Sequence, residues 1–115
     1  MNEVLVLGAG AWGTSLASLL ADNTKTTVYL WSFEEEVAKT INAKFINEKY
    51  LPAKKISRNI RASSSLPNFT ISIVFIVIPS QFIYDFFRKF KSHFDKNRTY
   101  YFIICSKGID LKRKK

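Results

Sequence analysis

Val4-Leu5-Val6-Leu7-Gly8-Ala9-Gly10-Ala11-Trp12-Gly13 is the stretch that decides how this chain folds. Four strand formers run into a glycine, and Gly8, Gly10 and Gly13 stand in the spacing G-x-G-x-x-G. Thr14-Ser15-Leu16-Ala17-Ser18-Leu19-Leu20-Ala21 follows and reads as a helix. Strand, tight turn and helix in that order form the context in which this spacing serves a dinucleotide pyrophosphate. Gly8 permits the turn, Gly10 lets backbone approach the pyrophosphate, and Gly13 lets the helix pack close on the strand. The helix start adds unpaired N–H groups and the positive end of its dipole.

Outward from that turn, strands and helices alternate. Asp22-Asn23-Thr24-Lys25 is a turn, and the β-branched and aromatic run Thr26 to Trp31 predicts a second strand. Ser32 is placed to cap a second helix, with Glu34, Glu35 and Glu36 in its first turn, where acids suit the dipole. Val37, Ala38, Ile41 and Phe45 fall on one face of it. Asn47-Glu48-Lys49-Tyr50-Leu51-Pro52 ends that helix and leads into a basic loop, and Ile60-Arg61-Ala62 is a short strand. Ser63-Ser64-Ser65-Leu66-Pro67 is a turn or a helical turn. Ile71 to Ile78 is the most apolar run, as expected of a central parallel strand covered on both faces. Phe82, Ile83, Phe86, Phe87 and Phe90 recur at helical spacing and predict a helix whose aromatic stripe is core. Tyr100 to Cys105 is a last strand, with Ser106-Lys107-Gly108 at its end. The alternation implies an α/β fold, a doubly wound parallel sheet in one domain over residues 1–111 with a basic tail at 112–115.

At 115 residues, 47% apolar and 15% aromatic, the composition is that of one globular domain; a chain of this size buries about 65% of its unfolded surface. The lone Cys105 excludes an internal disulfide and reads as a buried structural thiol in a reducing compartment. With one histidine, His93, beside it, a Cys/His metal site is not expected. Val4 to Ala21 carries no charge, yet no Lys or Arg precedes it and three glycines break it. It suits a phosphate-binding turn better than a signal peptide or a membrane span, so the expected setting is cytoplasmic. The net charge is +9, of which Lys112, Arg113, Lys114 and Lys115 supply four. The rest is scattered without the Arg/aromatic interleaving of single-strand binders, so nucleic acid is not an expected partner.

Ligands of open parallel sheets bind beyond the carboxyl ends of the strands. That rule selects Gly8–Gly13, Ser32-Phe33, Pro79-Ser80-Gln81 and Ser106-Lys107-Gly108. At the end of the second strand, where an NAD site usually places an acid for the ribose hydroxyls, stands Ser32, then Phe33, with Glu34 a little further on. No arginine stands there to attract a 2′-phosphate, so the choice between NAD and NADP stays open. Lys107 is the ionisable residue at the mouth of the last strand, placed to hold a phosphate or polarise a carbonyl that accepts hydride.

Together these residues resemble the N-terminal domain of the bacterial-type NAD(P)-dependent glycerol-3-phosphate dehydrogenases. The matching stretches are Gly8-Ala9-Gly10-Ala11-Trp12-Gly13-Thr14-Ser15-Leu16-Ala17, Leu30-Trp31, Asn47 with Tyr50-Leu51-Pro52, Ile78-Pro79-Ser80-Gln81 and Ser106-Lys107-Gly108-Ile109. The resemblance implies a Rossmann-type fold with NAD or NADP bound by Gly8, Gly10, Ala11, Trp12, Gly13, Phe33, Tyr50 and Lys107. It implies that Lys107 also touches glycerol 3-phosphate or dihydroxyacetone phosphate, the pair interconverted by hydride transfer for phospholipid synthesis. The family's general-base lysine belongs to a helical C-terminal domain absent from these 115 residues, so no catalytic residue is assigned here. A truncated or split dehydrogenase is therefore the expectation, completed by a second domain. The alternative is a dinucleotide-binding remnant without turnover.

Overall fold

The computed structural model describes residues 3–24, 26–66 and 71–105. In chain order the elements are β1 (Glu3–Leu7), α1 (Ala11–Thr24), β2 (Thr27–Trp31), α2 (Glu35–Lys44), β3 (Ile46–Asn47), β4 (Leu51–Lys55), β5 (Ile60–Ser63), β6 (Ile73–Ile76), α3 (Ser80–Phe90) and β7 (Tyr101–Ile104). A short 3-10 turn, Lys91–His93, follows α3. Ser106-Lys107-Gly108, the expected boundary at residue 111 and the tail 112–115 lie outside the described residues.

Five strands form one parallel sheet in the order β5-β2-β1-β6-β7. β1 is central, with Leu7 opposite Trp31 on one side and Ile76 on the other. Its unbroken apolar run follows from that position, because both faces are covered. Val4 and Val6 pack with Val28, Leu30, Ala17, Ala21 and Ile41, under α1 and α2. Leu5 and Leu7 pack on the other face with Trp31, Val74, Ile76 and Phe86, under α3. Fully burying one such Leu or Val contributes roughly 1.5–3 kcal/mol, so the two faces of β1 hold both helix layers to the sheet. The doubly wound parallel sheet expected from the alternation of elements is the fold.

Several local expectations need correction. Residues 46–55 are no plain loop: β3 and β4 pair antiparallel as a small hairpin with an irregular register at Ile46/Asn47. Periodicity misses it because β3 is two residues long and β4 carries Pro52, Lys54 and Lys55. Ser32 does not cap α2. The capping position is Glu34, without a side-chain cap bond, while Ser32 Oγ accepts the Glu34 N–H (3.0 Å) and donates to the Glu34 carbonyl (2.9 Å). Glu35 and Glu36 do occupy the first turn. Phe45 lies just past the helix, closing α2 in the left-handed region at φ 58°, and packs on the same core as Val37, Ala38 and Ile41.

The stripe on α3 also divides. Phe86 is buried and Ile83, Phe87 and Phe90 pack on that core, but Phe82 is 47% exposed and belongs to a cleft. β6 spans four residues rather than the eight of its apolar run. β7 is an edge strand, and all four of its residues are exposed. Cys105, just past it, is half-buried rather than buried, and desolvation raises its thiol pKa, which disfavours the reactive thiolate.

Candidate functional site: a glycine-turn cleft at the switch point

The order of strands reverses between β1 and β6, and beyond their carboxyl ends an open sheet forms a crevice. Here that crevice is a cleft of about 350 Å³. Gly8, Ala9, Gly10, Ala11, Trp12 and Gly13 form its floor, Ser32, Phe33, Glu34 and Tyr50 one wall, and Val77, Ile78, Pro79 and Phe82 the other. Seven of the eight residues expected to hold a cofactor thus meet around one space. The eighth, Lys107, lies outside the described residues.

The three glycines differ in what their missing side chains permit. Gly8 adopts φ +115°, which L side chains rarely take, and its N–H donates to the Trp31 carbonyl at 2.9 Å. A Cβ on Gly13 would stand 1.9 Å from the Gly8 carbonyl oxygen, so only hydrogen fits where α1 sits on the end of β1. A Cβ on Gly10 would have no protein atom within 4 Å. Gly10 lines the cleft, so this open space borders it. Thr14 N–H donates to the Gly10 carbonyl at 3.0 Å, so the helix starts at the cleft floor. With no acid in the first turn of α1, its dipole end remains available to an anion.

Behind the floor sits a polar residue to which the sequence assigned no role. Asn47 is fully buried, and its amide donates to the Ala9 carbonyl and to Thr14 Oγ1, both at 2.8 Å. Its Oδ1 accepts the Tyr50 N–H at 3.1 Å. One amide therefore ties the β3–β4 hairpin to the glycine turn and fixes Tyr50 at the cleft rim. The only signal available was its place among the family-like positions beside Tyr50-Leu51-Pro52. Asn47→Ala strips the Ala9 carbonyl and the Tyr50 N–H of these partners, and a loss of about 2–3 kcal/mol is expected. Urea unfolding with an unchanged midpoint would contradict that role.

At the wall formed by the end of β2, Phe33 packs edge-on against Trp31 with ring centroids 4.6 Å apart. Glu34 accepts a hydrogen bond from the Tyr50 hydroxyl at 2.6 Å and pairs with the Lys49 ammonium. The bond from Lys49, reinforced by that from Tyr50, holds the Glu34 carboxyl below the usual carboxylate range. Its reciprocal bond to Glu34 raises Lys49, and Glu34 likewise raises Tyr50, which stays a protonated donor at neutral pH. Among the described residues, no group of three or more His, Cys, Asp or Glu side chains is placed to hold a metal ion. None of the described helices is long and apolar enough to cross a membrane.

A parallel sheet in this order, with a glycine turn at its switch point and a helix starting at the cleft floor, defines a dinucleotide-binding domain of the Rossmann class. Residues 3–115 match the family described as the NAD-dependent glycerol-3-phosphate dehydrogenase N-terminus. The chain belongs to that family, and its cofactor class is NAD(P). Among its relatives is the glycerol-3-phosphate dehydrogenase (NAD(P)+) of Bacillus licheniformis, 36% identical over 112 residues, covering 96% of this chain and 32% of the relative. The enzyme of the same name from Neorickettsia sennetsu is 36% identical over 111 residues, with coverage of 96% and 32%. Among solved structures, the glycerol-3-phosphate dehydrogenase of Coxiella burnetii superposes with a TM-score of 0.81 at 28% identity, covering 93% of this chain and 33% of that one. That of Saccharomyces cerevisiae gives 0.82 at 32%, covering 93% and 34%. The chain thus spans about a third of the length of the relatives it matches.

Proposed function

We propose that this chain holds the nicotinamide dinucleotide for a glycerol-3-phosphate dehydrogenase acting in the cytoplasm on dihydroxyacetone phosphate and sn-glycerol 3-phosphate. The observation that carries the reading is the empty space over Gly10, at the switch point and beside the start of α1. A pyrophosphate needs backbone approach without a Cβ and N–H groups facing it, and this floor offers both. When bound, the dinucleotide supplies the hydride. Gly10 and the start of α1 orient its phosphates, and the Trp12, Phe33, Tyr50 and Phe82 side chains wall the cleft against water. Lys107, by its likeness to the family, contacts both cofactor and the substrate phosphate. No base is assigned among these 115 residues, so proton transfer falls to the domain that the longer relatives carry.

The test is titration of the folded 115-residue chain with NADH and NADPH. Saturable binding is expected, read as energy transfer from the tryptophans, Trp12 in the cleft and Trp31 behind Phe33, to the reduced nicotinamide and as a raised Tm. No heat, no energy transfer and no Tm shift with either dinucleotide on folded protein would sink the reading.

A further inference from the structure

The two edges of the sheet are finished differently. On β5, Asn59 and Ser63 accept bonds from the Val28 and Ser32 N–H groups of the β2 side. Bonding alternates along a strand, so the backbone of Ala62 points away from β2. Both of its groups are taken. The Asn42 side-chain amide, from α2, accepts the Ala62 N–H at 2.9 Å and donates to the Ala62 carbonyl at 2.8 Å. Arg61 adds a charge to the strand, and charge on an edge discourages pairing with another chain.

β7, at the opposite edge, has neither device. The Tyr101 and Cys105 N–H groups donate to the Ser72 and Ile76 carbonyls, so the N–H and C=O groups of Phe102 and Ile104 point outwards. Among the described residues no strand pairs with them. Tyr101–Ile104 carries no charge and no proline, and its side chains are 63%, 43%, 41% and 63% exposed in chain order. Phe102 packs on Phe87 and Phe94 towards α3. Tyr101 and Ile103 therefore lie on the other face, beside Ile73 and Phe75, which are only partly buried.

We propose that a second copy of this chain fills this edge, the two β7 strands pairing antiparallel about a two-fold axis. Such an interface is self-complementary. With Ile103 on the axis, Phe102 faces Ile104 of the second copy and Ile104 faces its Phe102. These are the outward-pointing residues of each strand, so each pair exchanges both backbone bonds. Ile103 meets its own copy and Tyr101 meets Cys105, and no charge enters the contact. Two aromatic and two isoleucine side chains, about half exposed, offer roughly 400 Å² per copy. The pair then buries about 800 Å², below the roughly 1,200–2,000 Å² of stable complexes, so the dimer is weak and forms in the micromolar range. Asn42 closes the other edge, so association stops at two. The net charge of +9 on each chain opposes it, and salt screens that repulsion. No residue of β7 lines the cleft, so the dimer and the dinucleotide reading stand or fall separately.

The experiment is sedimentation equilibrium of the 115-residue chain from about 1 to 300 μM, at about 0.1 and 0.5 M salt. The mass is expected to rise from 13.3 kDa towards twice that value and no further, at lower concentration in the higher salt. Ile103→Lys sets like charges face to face on the axis and is expected to weaken dimerisation at least about thirtyfold, with the circular dichroism of the fold kept. Leu19→Lys, which changes an equally exposed apolar residue on α1, is expected to alter it less than about twofold. In a Cys105→Ser background, Ile103→Cys is expected to give a disulfide-linked dimer on mild oxidation, and Leu19→Cys none. Residues opposed in a non-hydrogen-bonded pair stand about 4.5 Å apart at Cα, within disulfide reach. This readout holds even if the lysine variant fails to fold. A parent that stays monomeric throughout, association that runs past the dimer, or a dimer that neither weakens in folded Ile103→Lys nor cross-links through position 103 would overturn the proposal.

Discussion

Gly13→Ala is expected to lower the Tm by about 10 °C or more, or to leave no cooperative unfolding at all. Two effects oppose each other. Alanine inside a helix is favoured over glycine by about 1 kcal/mol, and Gly13 lies in the first turn of α1. Against this, the added Cβ would stand 1.9 Å from the Gly8 carbonyl oxygen and 3.0 Å from its carbon. The obstacle is backbone, in a turn already fixed by its φ of +115° and by the bond from Gly8 N–H to Trp31, so no side chain can swing aside. Overpacking costs about 1–3 kcal/mol where side chains can yield, and here the cost should exceed 3. A domain of this size has only about 5–15 kcal/mol of stability in all. The clash wins. Thermal unfolding by circular dichroism decides the matter, and a Gly13→Ala chain as stable as the parent would mean that α1 is not seated on β1 as described.

Gly10→Val should do the opposite, sparing the fold and removing the ligand. Gly10 is not in the left-handed region, and nothing lies within 4 Å of a Cβ built on it, so the protein can accept the side chain with a change of about 1 kcal/mol or less. The branched side chain then stands in the space assigned to the pyrophosphate. Affinity for NADH and NADPH is expected to fall at least about a hundredfold, or about 2.7 kcal/mol. Tryptophan fluorescence reads the binding and the Tm reads the fold on the same sample. Unchanged affinity in a folded Gly10→Val chain would make the turn purely structural and remove the main support for the proposed function. The pair of substitutions thus separates two glycines that the spacing alone treats alike.

What the sequence determined by itself is whatever short-range chemistry writes into neighbouring residues. Burial on both faces of a covered strand leaves an unbroken apolar run, so β1 and β6 were legible from Val4–Leu7 and the run around Val74. A helix start after a glycine turn leaves a spacing, so the cleft floor was legible too. Parallel topology followed from the alternation of elements, since parallel neighbours need a crossover. Even here the signal overreached, because apolar character near a strand end does not say where pairing stops, and β6 is half as long as its run.

The tertiary structure decided the contacts between residues far apart in sequence. Nothing local distinguishes Asn47 from a surface asparagine at the end of a helix. Its burial and its bonds to Ala9 and Thr14 exist only because the hairpin folds back onto the turn. Phe82 shares a helical stripe with Phe86, yet the first turn of α3 overhangs the crevice and leaves Phe82 at a wall while Phe86 enters the core. Glu34 read as an acid favouring a helix dipole, and Lys49 as part of a basic loop. Their pairing at the end of β2 could not be read from either neighbourhood. Periodicity and propensity act over one or two turns of chain, whereas a binding wall is made where a sheet brings strand ends and a hairpin to the same edge of the crevice.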